Sequence, residues 1–400
     1  MSTDYKQALG RKIADHRRRR GLSQPELARL IGRSVAWVSQ VERGVRKVDR
    51  MSVLEIVAEA LDIPLSELAA EAPVVAAVSD EPPEATDLRL VLSGAHALRA
   101  MLTKPVTPDL SALGGEVDKA WELTHAGRYT ELTDLLRDLV PQLETAARTV
   151  PEAQRAEPFE LLATAYHACS AALAKLGEPE AAWIAADRAM TAAERAGDPL
   201  LVAAGAFRLG FVFLSAKHYD QAEETARTAA DALWPMADEE RPEAMSLWGG
   251  LTLQRAVTAS RANDGEAAYT HLERAQAMAE RLGEGRNDYN TEFGPANVAL
   301  HEIAVAVELG DAGRALRTAD QVDTSGLSAE RRGRMLIDVA RAHAQRRQID
   351  EAVAVLRQAE DITPEQIRAH PLVRQLVSDL MTMQNPPSPE LRELAQRTGA

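Results

Sequence analysis

Cysteine is almost absent from this 400-residue chain, which contains only Cys169. No disulfide can form within the chain, so the sequence does not require an oxidising compartment. Aromatic residues make up only 4% of the chain, which argues against a β-sandwich and favours a largely helical protein. We find no run of about 18 apolar residues that could span a bilayer, and the first residues lack the apolar core of a signal peptide. These absences predict an all-α, cytoplasmic protein, and the length predicts more than one domain.

Sequence patterns for catalysis and cofactor binding are also missing. The "HEIAV" stretch at His301 has Val305 where a zinc-protease motif needs its second histidine. No phosphate-binding G-x-x-x-x-G-K-[ST] loop occurs, and "LGEGRNDYN" lacks the preceding strand of a dinucleotide site, which favours a loop between helices. Cys169 is interpreted as a small core residue, with a redox switch as the alternative. The sequence therefore predicts no enzyme, no metal site and no cofactor.

Charge is unevenly distributed along the chain. The formal net charge is -14, but residues 1–50 contain 13 Lys and Arg against 5 Asp and Glu, a net of +8, so residues 51–400 carry -22. Because charges more than about 8 Å apart are largely screened at physiological salt, a basic head on an acidic body still attracts phosphate locally. The body's charge favours a cationic or neutral ligand over a phosphorylated one.

The basic head begins with an amphipathic helix and continues with two short ones. Leu9, Ile13 and the stem of Arg17 lie four residues apart and form one buried stripe. Ser23 and Glu26 form a capping box at the start of the second helix. The residues expected to be buried on the two short helices are Leu27, Leu30, Ile31, Val38 and Val41.

The two short helices, separated at Gly32 and with the second capped by Ser34, form a helix-turn-helix. By this geometry, the first turn of the second helix faces the major groove of DNA. Helices at "MSVLEIVAEALDI" and "LSELAA" complete a five-helix domain over residues 1–70.

The segment "LSQPELARLIGRSVAWVSQVERG" resembles the helix-turn-helix domain of the Xre and lambda-repressor family, over roughly residues 6–69. The resemblance implies a buried ion pair between Arg17 and Glu42. The base-reading positions that it implies are Val35, Ala36 and Gln40, with Ser39 beside them. The phosphate-contacting positions that it implies are Gln24, Ser34, Arg43, Arg46 and Lys47.

Two features of this helix qualify how it would read DNA. Gln40 can pair with adenine, whereas Val35 and Ala36 offer only apolar contact, so base specificity rests partly on DNA shape. Trp37 points away from the inward positions of its helix and is expected to be exposed. Its indole either contacts a sugar or base of the DNA or packs against a neighbouring loop.

Residues 71–87, "EAPVVAAVSDEPPEATD", contain three prolines, five acidic residues and no basic residue. This composition predicts a linker between the head and a second domain over residues 88–400.

From residue 88 onward, helices and short turns alternate. Six turns can be aligned on Tyr129, Pro179, Tyr219, Gly265, Gly313 and Ile349, at separations of 36 to 50 residues. Small residues spaced four apart let paired helices approach closely, as in tetratricopeptide repeats with a period of about 34. The spacing predicts an irregular, tetratricopeptide-like α-solenoid of about six hairpins, with a globular helical bundle as the alternative.

This plan resembles large actinobacterial regulators that join an Xre-type head to tetratricopeptide repeats, and it is similar to the Gram-positive quorum-sensing receptors. In those receptors the repeat domain holds a signalling peptide and also dimerises. The resemblance implies a homodimeric transcriptional regulator that binds an inverted-repeat operator in double-stranded DNA and senses a peptide or small molecule. The alternative is an interaction protein that neutralises a partner, with its head used for autoregulation.

A ligand is expected on the first helices of the repeats, where polar side chains interrupt apolar faces. Asn297 and His301 share one helix face, as do Trp248 and Thr252, with Arg255 one turn further along. Tyr166 and Arg208 occupy comparable stretches of earlier repeats. For each of these residues, hydrogen bonding between helices of the solenoid is the alternative role.

Overall fold

The computed structural model describes residues 2–46, 48, 51–61, 63, 68, 83–92, 102, 109–384 and 386–400. Within these ranges all regular structure is helical, with twenty α-helices that we number α1–α20, so the all-α class is confirmed. The chain divides into two compact units, residues 1–80 and 81–400. In the described ranges, no helix is both long and apolar enough to cross a membrane.

The N-terminal unit has four helices in its described part. They are α1 (Ser2–Arg19), α2 (Gln24–Leu30), α3 (Val35–Glu42) and α4 (Met51–Leu61). The core between them contains Leu9, Ile13, Leu27, Val38, Val41, Leu54, Val57 and Leu61. The fifth helix expected at residues 65–70 lies outside the described residues, except for Leu68, which is helical and buried.

Local chemistry determines where α2 and α3 begin. The capping box is present, since the Ser23 amide donates a hydrogen bond to Glu26 Oε2 at 2.7 Å. Ser34 Oγ accepts the Trp37 amide at 3.1 Å and so caps α3. Gly32, between the two helices, has φ of +64°, a conformation that glycine adopts without strain. The predicted turn is therefore fixed at both ends.

The prediction for Leu30 is wrong: 58% of this residue is exposed. Successive residues of an α-helix are rotated by about 100°, so Leu27, Ala28 and Ile31 share one face. All three are buried, and Leu30 lies outside the arc that they define.

In its described residues, the C-terminal unit contains six helical hairpins, each with two helices joined by a short turn. The hairpins are α6 (Leu110–Ala126) with α7 (Tyr129–Thr149), α8 (Ala156–Lys175) with α9 (Pro179–Ala196), α10 (Pro199–Ser215) with α11 (Tyr219–Leu233), α12 (Pro242–Arg261) with α13 (Gly265–Leu282), α14 (Pro295–Glu308) with α15 (Ala312–Ala319), and α16 (Ala329–Gln345) with α17 (Ile349–Ile362). The helices flanking them are α5 (Pro83–Val91), α18 (Pro364–Ala369), α19 (Pro371–Met383) and α20 (Pro389–Thr398).

All six turns predicted from the sequence join the two helices of a hairpin. Five of the second helices begin at the residue used to align the turns, and the sixth, α15, begins at Ala312, one residue before Gly313. The predicted architecture, a helix-turn-helix head followed by an α-solenoid, is confirmed.

A helix begins inside the segment predicted to be a linker. Residues 83–87 form the first part of α5, while residues 71–82 lie outside the described residues. Proline is tolerated in the first turn of a helix, so Pro83 does not prevent it. Ala85, Leu88 and Val91, three residues apart, are buried in the same core as the first hairpins.

The first helices of the hairpins form a closed circuit. Each packs on the first helix of the next hairpin, and α16 of the sixth also packs on α6 of the first. An ion pair joins α8 to α16, with Lys175 Nζ 2.6 Å from Glu330 Oε1. A second link runs from the Thr130 amide to Glu365 Oε2, at 2.9 Å. The beginning and end of the unit are thus held together.

His167, on α8, is 3% exposed and its Nε2 has no hydrogen-bond partner among the described residues. Burial, together with the nearby Arg208 guanidinium, lowers the pKa of His167 to about 3. The imidazole is therefore neutral in the folded protein at neutral pH.

We predict that His167 makes the protein less stable in mild acid. As the pH falls below about 6.5, this histidine binds a proton in the unfolded chain but stays neutral in the folded one. The free energy of unfolding therefore decreases by about 1.4 kcal/mol per pH unit. Between about pH 7.5 and pH 5 the unfolding free energy of wild type, measured in urea, should lose about 2 kcal/mol more than that of His167→Leu.

Leu162→Ala is the matched control, because it opens the same core without removing a titratable group. It should keep the wild-type dependence on pH. The same dependence in His167→Leu as in wild type would contradict the prediction.

Candidate nucleic-acid interface and ligand site

The start of α3 presents side chains to solvent. Val35 is 44% exposed, and Ala36 is also exposed. Ser39 and Gln40, one turn further along, are partly exposed, whereas Val38 and Val41 face the core. The implied base-reading positions thus form one accessible strip on this helix.

Basic side chains lie at the C-terminal end of this strip. Arg43 and Arg46 are both exposed, and Arg43 Nε donates a hydrogen bond to the Ser39 carbonyl at 3.2 Å. Ser34 is also exposed and uses its hydroxyl as the cap of α3. Lys47 lies outside the described residues.

Arg17 and Glu42 form a bidentate ion pair across the N-terminal unit. Arg17 Nε donates to Glu42 Oε1 at 2.6 Å, and Nη2 donates to Oε2 at 3.0 Å. Arg17 Nη1 also donates to the Leu22 carbonyl at 2.6 Å, which ties the end of α1 to the turn before α2. The pair that the family resemblance implies is present in the structure.

Gln24, implied as a phosphate contact, takes part in this cluster. Its Nε2 donates a hydrogen bond to Glu42 Oε2 at 2.8 Å. Burial alone would raise the pKa of Glu42, but the hydrogen bonds from Arg17 and Gln24 outweigh burial and lower the pKa. Glu42 therefore stays ionised and connects α1, α2 and α3.

Trp37 is only partly exposed, which corrects the expectation of an exposed indole. Its ring packs against the core of the N-terminal unit, and the Arg33 guanidinium lies 5.8 Å from the ring centroid. The reason is size: an indole is large enough to reach the core edge from a position that does not point inward.

Arg208 and Asn297, two of the six candidate ligand residues, bind the loop between α13 and α14. Arg208 Nη2 donates to the carbonyls of Tyr289 and Asn290, at 3.0 and 2.8 Å. Asn297 Nδ2 donates to the Thr291 carbonyl at 3.3 Å. These two side chains therefore bind the chain's own backbone. "LGEGRNDYN" lies in the predicted connection between helices, which contains a 3-10 turn at Asp288–Asn290.

Tyr166 and His301 also have partners within the C-terminal unit. Tyr166 Oη donates to Glu144 Oε1 at 2.5 Å, between the first two hairpins. His301 Nδ1 lies 2.8 Å from the Asn297 carbonyl, one turn earlier on α14. Burial and Arg331 lower the pKa of His301 to about 4, so its ring is neutral at physiological pH. The Tyr166 contact fits the alternative role of hydrogen bonding between helices, whereas the His301 contact lies within α14.

Trp248 and Arg255 are the two candidates that line an open pocket. This pocket of about 470 Å³ lies between α11, α12 and α13. Arg255 Nε also donates to Glu223 Oε1, at 2.8 Å. Sequence reasoning missed the other lining residues, among them Trp234, Arg274 and Arg281. The sequence could have indicated Trp234, because a tryptophan followed by Pro235 is a large apolar residue directly after the end of a helix, here α11.

Residues 8–70 match the family model described as a helix-turn-helix domain. The N-terminal unit is a helix-turn-helix domain. No curated protein matches the chain.

Among solved structures, the chain is similar to one described as the crystal structure of Bacillus thuringiensis PlcR in complex with the peptide PapR7 and DNA. The identity is 17%, the alignment covers 69% of this chain and 95% of that one, and the TM-score is 0.27. A superposition this loose carries no residue or role over to this chain.

We predict that Glu42→Ala loosens the N-terminal unit. The substitution leaves the buried Arg17 guanidinium without its carboxylate, which should cost about 3 kcal/mol. In hydrogen-exchange mass spectrometry of the full-length chain, amides of α1 and α3 should exchange faster than in wild type, by the factor that this loss of stability predicts.

Glu26→Ala is the control, since it removes another glutamate of the same unit but only an exposed capping interaction at the start of α2. Wild-type exchange in Glu42→Ala would show that the ion pair does not hold these helices together.

Proposed function

We propose that the protein is a sequence-specific DNA-binding transcriptional regulator. It acts as a homodimer, and its repeat unit senses a peptide or small molecule. The observation that carries this proposal is the accessible strip at the start of α3, in a unit that matches the helix-turn-helix domain model. In such domains the second helix of the motif enters the major groove and its first turns contact base edges.

The residue types on this strip determine how it would read DNA. Gln40 would contact an adenine through its amide, while Val35 and Ala36 would meet the methyl group of a thymine. The hydroxyl of Ser39 lies on the same helix face. Trp37, packed at the edge of the core, would touch a sugar or base with the exposed part of its ring.

Charge supports binding through this unit. The excess of +8 over residues 1–50 attracts phosphates, whereas the -22 of residues 51–400 keeps the rest of the chain away from DNA. Arg43, Arg46 and Lys47 would contact phosphates beside α3, with Ser34 and Gln24 at the helix starts. Because Gln24 already donates to Glu42, only its second amide hydrogen would be available to a phosphate.

The dimer would place two α3 helices on one face of an inverted repeat, with half-sites roughly 34 Å apart. Residues 71–82, the part of the predicted linker that precedes α5, would connect each head to its repeat unit and transmit the state of that unit. A ligand would change operator affinity by favouring one separation of the two heads over another. In this proposal the chain is a cytoplasmic member of the Xre-type regulators that carry tetratricopeptide-like repeats.

The experiment that tests this function is selection of duplexes from a random pool by the purified full-length protein at moderate salt. Enrichment of an inverted repeat is the expected outcome, because two identical heads read the same half-site in opposite orientations. A pool without any enriched motif, for the full-length protein and for the isolated residues 1–70 alike, would refute sequence-specific binding.

We predict that Gln40→Ala weakens binding to the selected duplex by about 1 to 3 kcal/mol, measured by fluorescence anisotropy. The loss should be confined to the selected site, because the amide reads a base edge. Affinity for a scrambled duplex should stay the same.

Two further variants calibrate this measurement. Gln321→Ala, on an exposed turn after α15, should bind both duplexes like wild type. Arg46→Ala should weaken binding to both duplexes and lower the slope of log K against log salt by about 1, because it removes one phosphate contact. A Gln40→Ala protein that binds the selected site as well as wild type would contradict this docking of α3.

A further inference from the structure

The pocket between α11, α12 and α13 has an aromatic wall. The rings of Trp234 and Trp248 have centroids 5.1 Å apart and are tilted by 45°, so they form a wedge instead of a closed stack. Trp234 is 58% exposed, because no described residue covers the rest of its ring. Such exposure is unusual for an indole. Met278 forms a buried, adaptable base. The exposed face of Trp234 offers a flat ring a surface on which to stack.

The rim of the same pocket is cationic. Three guanidiniums, those of Arg255, Arg274 and Arg281, line it together with a single carboxylate, that of Asp231. Asp231 is already bound by Arg227, at 3.2 Å on the same helix. The local charge is therefore opposite to the -22 of residues 51–400.

The three guanidiniums are compensated to different degrees. Arg255 is paired with Glu223 at 2.8 Å. Arg281 lies 3.9 Å from Glu239, whose side chain is largely solvated, so this pairing is weak. Arg274 has no hydrogen bond or ion pair among the described residues. Its positive field is also felt by His271, since burial first, and then Arg255 and Arg274, lower the pKa of that imidazole to about 4.

We propose that this pocket binds an aromatic ring that carries a carboxylate. The ring stacks on the exposed face of Trp234 beside Trp248, and the carboxylate accepts hydrogen bonds from Arg274 and Arg281. Arginine suits a carboxylate because its planar donor fork matches the two oxygens. A volume of about 470 Å³ holds a ring system of one or two cycles. A free aromatic acid and a peptide that ends in an aromatic residue share this chemistry.

Only the role of such a ligand as a signal rests on the proposed function. The binding does not require DNA, so the test is done without it. A failure of the pocket and a failure of the DNA-binding proposal are therefore separate results.

The test is isothermal titration calorimetry on the full-length chain with naphthalene-1-carboxylate and its neutral isostere naphthalene-1-carboxamide. The carboxylate should bind about tenfold more tightly, because only the ionised group gains charge-assisted hydrogen bonds. The double substitution Arg274→Gln with Arg281→Gln should remove this preference and leave the affinity for the carboxamide unchanged. Trp248→Leu should weaken the binding of both probes alike, because it removes part of the aromatic wall.

Arg346→Gln is the matched control, since Arg346 is an exposed arginine at the end of α16, outside the pocket lining. It should bind both probes like wild type. Equal affinities for the two probes in wild type, or a preference that survives substitution of both Arg274 and Arg281, would overturn the proposal.

A second pair of probes distinguishes the two sources of the ligand. Acetyl-Gly-Trp with a free carboxylate is compared with the same peptide as its C-terminal amide. Tighter binding of this acid than of naphthalene-1-carboxylate assigns the pocket to a peptide end, and weaker binding assigns it to a free aromatic acid. If both acids bind no better than their amides, the proposal fails.

Discussion

The ion pair between Lys175 and Glu330 is the contact on which the arrangement of the repeat unit depends. It joins the second hairpin to the sixth, which are separated by more than 150 residues of chain. Burial alone would raise the pKa of Glu330, but Lys175 and Arg331 outweigh it and lower the pKa to about 2. The carboxylate therefore stays charged at any physiological pH. A buried carboxylate without its cation would destabilise the folded state. The pair therefore favours the packing in which α16 lies against the first hairpins.

This closure shapes the inner side of the unit, where the loop between α13 and α14 is held by side chains from several hairpins. Arg208 and Arg331 bind its carbonyl groups, and Arg331 also contacts Glu292. Tyr289, Asn290 and Glu292 have φ between 49° and 57°, a left-handed conformation that costs non-glycine residues of order 1 kcal/mol each. The hydrogen bonds offset this strain. The candidate pocket at Trp234 lies elsewhere, between α11 and α13, and does not depend on displacing the loop.

Much of the fold could be predicted from the sequence, because turns and caps are local. The alignment of six turns found the six hairpins, and the capping box at Ser23 found the start of α2. Partners distant in sequence could not be predicted. The spacing of Asn297 and His301 gives a shared helix face, but it does not say that the Thr291 carbonyl occupies that face. Net charge could not predict the cationic pocket either. The sum of -22 over residues 51–400 does not show that three arginines lie around one site.

The closed circuit of first helices has a consequence for how this protein can change over generations. In an open solenoid each repeat touches only its neighbours, so duplication or loss of one repeat leaves the others in place. Here an additional hairpin would move α16 away from α6 and separate Lys175 from Glu330. The number of hairpins is therefore fixed by geometry. Substitutions and changes in exposed turns leave this closure intact, whereas growth by whole repeats would break it.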